Sequence, residues 1–427
     1  MLKITCEGVY YKNGGFVPAK DGPAAGLPAP EKAREGTMAH AILKAHNTGD
    51  NMEELAIRFD AMASHDITYV GIIQTARASG MQAFPLPYVL TNCHNSLCAV
   101  GGTINEDDHV FGLSAAKKYG GEFVPAHQSV IHSYMRERYA APGRMILGSD
   151  SHTRYGAYGT MAIGEGGPEL ARQLLSKTYN IPYPKVIAIY LTGTPIPGVG
   201  PQDVALELIR STFKDGVVKN AVMEFFGPGV ANLSMDYRSG IDVMTTETTC
   251  LSSIWPADHT LKAHLAVLGR GEAFKPQAPA DGAYYDGLIE VELDKIRPMI
   301  ALPFHPSNAY TIQEFQENLD ELLHQVDEDT VRQLKLKNRP ASLREKIVDG
   351  KFRVDQGVIA GCSGGTYQNI VRAAQILDGR AIGSGEFWLS VYPTSQPVNL
   401  ELTRRGYIAS LMAAGASIRS CFCGPCF

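Results

Sequence analysis

The chain has 427 residues, 44% of them hydrophobic and 19% charged, with a formal net charge of −5. That length allows a large core and suggests two or three globular units. The acidic balance comes without a basic stretch, which sets nucleic acid aside as a partner, and no run of about 18 apolar residues offers a membrane span.

The opening stretch, MLKITCEGVYYKNGG, has no apolar run behind its lysine and does not read as an export signal. Eight cysteines in a chain without such a signal point to reduced thiols in a cytoplasmic setting rather than to disulfides. Residues 11–36, rich in Gly, Pro, Ala and Lys, predict an extended, exposed loop. Residues 38–47 carry apolar side chains at helical spacing, and residues 52–64 predict another helix. From about residue 66, short apolar runs alternate with helical stretches, as in ITYVGII, RMILGSD, KVIAIYLTG, QDVALELIRSTF and QGVIAGCSG. This alternation predicts an α/β architecture with largely parallel sheets. TGTPIPGVGPQ at 192–202 and ALPFHPSNA at 301–309 are candidate boundaries, giving units 1–195, 196–300 and 301–427. Residues 313–348 read as a charged, solvated helical connection.

Two polar motifs follow predicted strands: GSDSHTRYG after RMIL, and GCSGG after QGVIA. Ligands of open parallel sheets bind beyond the carboxyl ends of their strands. At the far end of the chain, SCFCGPCF places Cys421, Cys423 and Cys426 within six positions, and Cys362 stands apart from them. Thiolates bind metal, and a Cys-x-x-Cys turn can present two sulfurs to one centre. A zinc site, a redox pair, a three-cysteine iron–sulfur site and unligated thiols all remain open on spacing alone. A zinc site usually wants two close pairs, whereas one distant cysteine plus one close pair suits the iron–sulfur reading. In GSDSHT, Asp150, Ser151 and His152 combine an acid, a hydroxyl and an imidazole, a set suited to proton transfer but also to an ordinary hydrogen-bonded turn. His132, eighteen residues upstream, reads by itself as a core histidine. Cys93 and His94 are adjacent, which rarely lets two side chains face each other, and Glu247 alone reads as a surface acid.

Together these pieces resemble the aconitase and isopropylmalate dehydratase superfamily. GSDSHT looks like that family's G-[ST]-D-S-H-T signature, and VIHSYMRERYAAPGRMILGSDSHT is similar to its pattern of His, then Pro-Gly, then the signature. GCSGG resembles the first cluster motif, CGPC the second, and LSMDYRSGIDVMTTE a further family stretch. The resemblance implies a three-layer α/β/α core of three related sub-domains around a central cleft. It implies a [4Fe–4S] cluster held by Cys362, Cys423 and Cys426, with Cys421 a bystander, and one iron open to a substrate hydroxyl. It places His94, His132, Asp150, Ser151, His152 and Glu247 in the active site, with Asp150 paired to His132 and Glu247 to His152. The implied activity is that of a hydro-lyase or isomerase, dehydrating and rehydrating a small hydroxy di- or tricarboxylic acid.

The chain also departs from the pattern. Cys93 stands where the family carries an Asp beside the histidine, Val243 stands where an Asn is expected, and Gly364 or Gly365 replaces the Asn of the first cluster motif. Arg154 follows the signature where a small residue or Pro is usual, and is a candidate contact for a substrate carboxylate. Family members continue past CGPC into substrate-binding arginines and a swivel domain, fused or in a small subunit. Neither part is matched here, so a truncated and catalytically incomplete chain is expected. These departures also leave room for a degenerate relative without turnover, given to iron or redox sensing or, less readily, RNA binding.

Overall fold

The computed structural model describes residues 2–94, 102–337, 341–383 and 385–426. Three sheets organise the chain. The first is five-stranded and wholly parallel, in the order Glu122–Val124, Tyr88–Thr91, Ala61–His65, Met145–Gly148 and Met161–Gly164. Its three central strands are buried residue by residue, as expected of strands covered on both faces. The second sheet orders Leu2–Thr5, Gly287–Glu292, Val186–Thr192, Val222–Phe226 and Ser252–Ile254, with only Leu2–Thr5 antiparallel. The third is a three-stranded parallel sheet of Gln356–Ile359, Trp388–Val391 and Ser417–Ile418. The architecture is α/β with parallel sheets, as the alternation of runs predicts. Val186–Thr192, just ahead of the expected boundary at 195, forms the centre of the second sheet and pairs there with the strand at 287–292.

Four local expectations are corrected. Residues 52–64 are not helical: Glu54–Ile57 and Ala61–His65 are strands. AMASH carries none of the β-branched residues that advertise a strand, yet all five residues are buried at the middle of the first sheet. ITYVGII runs instead into helix Tyr69–Ala78, because Tyr69, Ile72, Ile73 and Ala76 bury a single face. Within the predicted loop at 11–36, Val9–Lys12 and Gly15–Pro18 form a hairpin and Pro30–Ala33 a short helix. The stretch at 313–348 is more than a connection, since Phe315 packs with Leu319, Leu323 and Val326 of helix Leu319–Gln333 in a small core.

The first two sheets share one continuous core, which reaches Cys362 and Cys423 of the third unit. Polar ties hold the third unit against the first. Val130 N–H donates to Thr394 O at 3.0 Å, Gln396 N–H to Gln128 O at 2.9 Å, and Ser395 Oγ to Glu137 Oε1 at 2.6 Å. Among the described residues, no helix is long and apolar enough to cross a membrane.

Candidate active site

Five of the site's stretches leave the carboxyl end of a parallel strand, whereas His132 lies on helix Ile131–Arg138 and Glu247 on the turn after helix Met235–Met244. His65 is the last residue of Ala61–His65, Cys93 and His94 follow Tyr88–Thr91, and Asp150–His152 follow Met145–Gly148. In the third sheet Cys362 follows Gln356–Ile359, and the cysteine pair follows Ser417–Ile418. These ends converge on one cavity of about 710 Å3, lined among others by His65, His94, His132, Asp150, Ser151, His152, Val243, Glu247, Cys362, Cys423 and Cys426. The convergence is the behaviour expected of open parallel sheets.

Asp150 is the hub. Its Oδ1 accepts from the His152 amide at 2.7 Å and faces His132 Nε2 at 3.0 Å, while Oδ2 faces His94 Nε2 at 2.8 Å. The His152 ring lies between two acids, with Nδ1 3.7 Å from Asp150 Oδ1 and Nε2 2.9 Å from Glu247 Oε1. The two acid–imidazole pairs that the resemblance implies are therefore both formed. Burial alone would keep Asp150 neutral, yet His132, His152 and His94 outweigh it and hold the carboxyl far below its ordinary range. Burial likewise opposes charge on His94, but Cys93 and Asp150 together push its pKa up to about 10. Asp150 and Glu247 do the same for His152, to about 9. His132 and His65 go the other way, to about 4 and about 3, because burial dominates both. The site thus holds two imidazoles that favour a proton and two that refuse one, around a single carboxylate.

The adjacent pair Cys93–His94 does face itself: Cys93 Sγ lies 3.4 Å from His94 Nδ1. Ser151 lines the cavity with its hydroxyl 3.4 Å from His152 Nδ1. Arg154 is corrected. It is 4% exposed and absent from the cavity wall, and its guanidinium donates to the carbonyls of Thr153 and Cys250, both at 2.9 Å. A cation committed to backbone carbonyls behind the signature turn does not present itself to a substrate carboxylate.

Three residues escaped the sequence reading. His65 stacks on His94 with ring centroids 3.8 Å apart. Asp66 accepts from the His94 amide at 2.9 Å and so pins that loop. Arg136 donates from one guanidinium nitrogen to the Cys362 carbonyl at 3.1 Å and from the other to the Arg154 carbonyl at 3.4 Å, tying the signature turn to the first cysteine. The Arg136 signal was in view, an arginine within a quoted motif, but residue type does not announce burial.

Cys362, Cys423 and Cys426 share one cavity wall, a donor set of the kind that holds iron–sulfur clusters. Gly361 sits at φ +77°, and a Cβ added there would lie 2.5 Å from Cys426 Sγ. Only glycine lets the Cys362 turn approach the Cys-x-x-Cys turn so closely. Cys423 N–H donates to the Cys93 carbonyl at 2.7 Å, which docks the second turn on the His94 loop. Burial pushes the Cys362 thiol up to about 12, whereas the hydrogen bond from Cys423 brings Cys426 down to about 7. Among the described residues, the one triad of donors close enough to share a single ion is His65, His94 and Asp150. Cys421 is fully buried outside this wall, in a bridge to His127.

Sequence comparison completes the picture. The model of the "Aconitase family (aconitate hydratase)" matches residues 40–427. The chain belongs to the aconitase family. Among curated relatives, a mitochondrial aconitate hydratase of Schizosaccharomyces pombe is 30% identical over 393 residues, 87% of this chain and 46% of the relative. A mitochondrial aconitate hydratase of Gracilaria gracilis is 29% identical over 334 residues, covering 75% and 39%, and a probable one of Dictyostelium discoideum is 28% identical over 417 residues, covering 91% and 50%. The chain spans half or less of the length of these relatives. All three carry a mitochondrial designation, whereas the sequence reading expected a cytoplasmic setting.

Proposed function

We propose that this chain is the cluster-bearing part of a hydro-lyase that removes and re-adds water on a small hydroxy di- or tricarboxylic acid of the aconitate type. One observation carries the reading: the Asp150 hub with its three imidazoles, and the His152–Glu247 pair, face the same cavity as Cys362, Cys423 and Cys426. Those three cysteines would hold a [4Fe–4S] cluster, and the group supplies Lewis acidity toward a substrate hydroxyl when one iron lacks a protein ligand.

The chain's own residues would manage protons and charge. His94, kept protonated by Cys93 and Asp150 and lining the cavity, would donate to the departing hydroxyl by exchanging its Nε2 contact with Asp150 for one with the substrate. His132, neutral and hydrogen-bonded through Nδ1 to Tyr155 Oη at 3.2 Å, holds Asp150 in register. His152, charged between Asp150 and Glu247, offers positive charge to a substrate carboxylate. The base that takes the carbon-bound proton is proposed to come from a swivel domain or small subunit, in the half of the relatives' length that this chain does not span. The thiols call for a compartment that keeps them reduced.

The test follows enoate formation by ultraviolet absorbance, using the longest natural form of the chain reconstituted anaerobically with iron and sulfide. Asp150→Asn should lower kcat about 10²- to 10⁴-fold, the usual worth of a positioned acid–base group. Equal rates in both proteins would remove Asp150 from the reaction. A second reading, a cluster-holding protein without turnover, is favoured by Val243, a buried apolar side chain on the cavity wall where the family pattern has Asn. Iron and sulfide with no activity toward any hydroxy acid would select it.

A further inference from the structure

Asp150 gives its two oxygens to different neighbours. Oδ1 serves His132 and the His152 amide, and these contacts leave Oδ2 aimed at His94 Nε2, 2.8 Å away, and His65 Nε2, 3.8 Å away. All three residues are nine-tenths or more buried, and all three line the cavity. His65 is the odd member. At 3.8 Å its Nε2 is too far from Asp150 Oδ2 to hydrogen-bond it, yet faces the same oxygen as His94. The donor set also has the composition and spacing of a cation site. Two imidazoles and one carboxylate suit borderline first-row metals rather than calcium or magnesium. Bonds of about 2.1 Å put neighbouring donors about 3.0–3.4 Å apart, between the two spacings found here. Outer contacts are present for two ligands: His132 orients Asp150, and Cys93 Sγ lies at His94 Nδ1.

We propose that His65, His94 and Asp150 form a mononuclear site for a first-row divalent cation, Zn2+ or Fe2+ in class, separate from the three-cysteine set. The proposal goes beyond the hydro-lyase reading and does not rest on it. Loading the site displaces the proton shared by His94 and Asp150, so a bound cation and the proton-donating form of His94 exclude each other.

The test titrates anaerobic Co2+ into the full chain carrying Cys362→Ser, Cys423→Ser and Cys426→Ser, and reads ligand-field absorption. One Co2+ per chain is expected, bound at least tenfold more weakly after His65→Gln and unaffected by the remote His264→Ala. If circular dichroism shows the cysteine-free chain unfolded, the chain with its cysteines is reconstituted with iron and sulfide, and the metal in excess of sulfide is counted. One equivalent should then disappear with His65→Gln. Absence of saturable uptake, or uptake indifferent to His65→Gln, overturns the proposal. The cysteine-free chain cannot assemble a cluster, so failure here leaves the hydro-lyase reading standing, and failure of that reading leaves cation uptake to be measured.

Discussion

At the scale of the residue, the account depends on which sulfur does what. Cys423 and Cys426 face the cavity, whereas Cys421 is buried in a bridge to His127. Cys423→Ser should therefore abolish assembly of an iron–sulfur chromophore, and Cys421→Ser should leave it in place; visible absorption after reconstitution decides, and equal loss would contradict the assignment. His94 gives a second expectation. Its Nδ1 neighbour is a thiol where family members carry a carboxylate, and a carboxylate favours the imidazolium more strongly than a thiol does. Cys93→Asp should raise turnover on hydroxy acids by about tenfold, within the range of a better-oriented proton donor. Unchanged rates would mean that Asp150 alone orients His94. Residues inside contiguous motifs were readable from sequence: the His152–Glu247 and Asp150–His132 pairs lie where the resemblance put them. Arg154 was misread because residue type says nothing of direction, and its guanidinium turns inward to the Thr153 and Cys250 carbonyls.

At the scale of the element, strand ends and helix starts do the positioning. Gly361 is the sharpest case. Ala there would strain a left-handed residue and press its Cβ on Cys426, so Gly361→Ala should cut iron occupancy, while Gly364→Ala, with open space around it, should not. Metal analysis of the two variants side by side checks this. A different element controls stability. Glu224, wholly buried on strand Val222–Phe226, accepts from the Met38 and Ala39 amides at the start of helix Met38–His46 and from Tyr285 Oη at 2.7 Å. Burial outweighs these donors and raises its pKa to about 7 from an ordinary 4.5. An acid raised on folding favours the folded state fully below the unfolded pKa, and that contribution is lost as pH climbs through the folded value. Between pH 4.5 and 7 the loss should reach about 3 kcal/mol. Urea unfolding at several pH values should show Glu224→Gln lacking that decline; parallel profiles would refute it. The strand Ala61–His65 shows why some of the site was not legible. AMASH carries no β-branched signal, its strand character comes from burial between two neighbours, and so His65 and Asp66 were hidden with it.

At the scale of the whole molecule, the first and third sheets turn their carboxyl ends toward one cavity, the turn carrying Glu247 ahead of strand Ser252–Ile254 joins its wall, and the shared core with the ties from Val130, Glu137 and Gln128 holds the third sheet in place. The α/β alternation was legible because buried parallel strands such as RMILG and KVIAIYLT are continuous apolar runs. That five separate strand ends would meet is a property of packing, and no single stretch encodes it. The central claim is that Cys362, Cys423 and Cys426 hold a cluster with one iron open to substrate. Anaerobic iron and sulfide analysis of the longest natural form, with an electron paramagnetic resonance spectrum after mild oxidation, tests it most directly. The account predicts about four sulfides per chain with matching iron, and a three-iron signal on oxidation as the iron without a protein ligand is lost. A reconstituted protein with no sulfide and no such signal would contradict it.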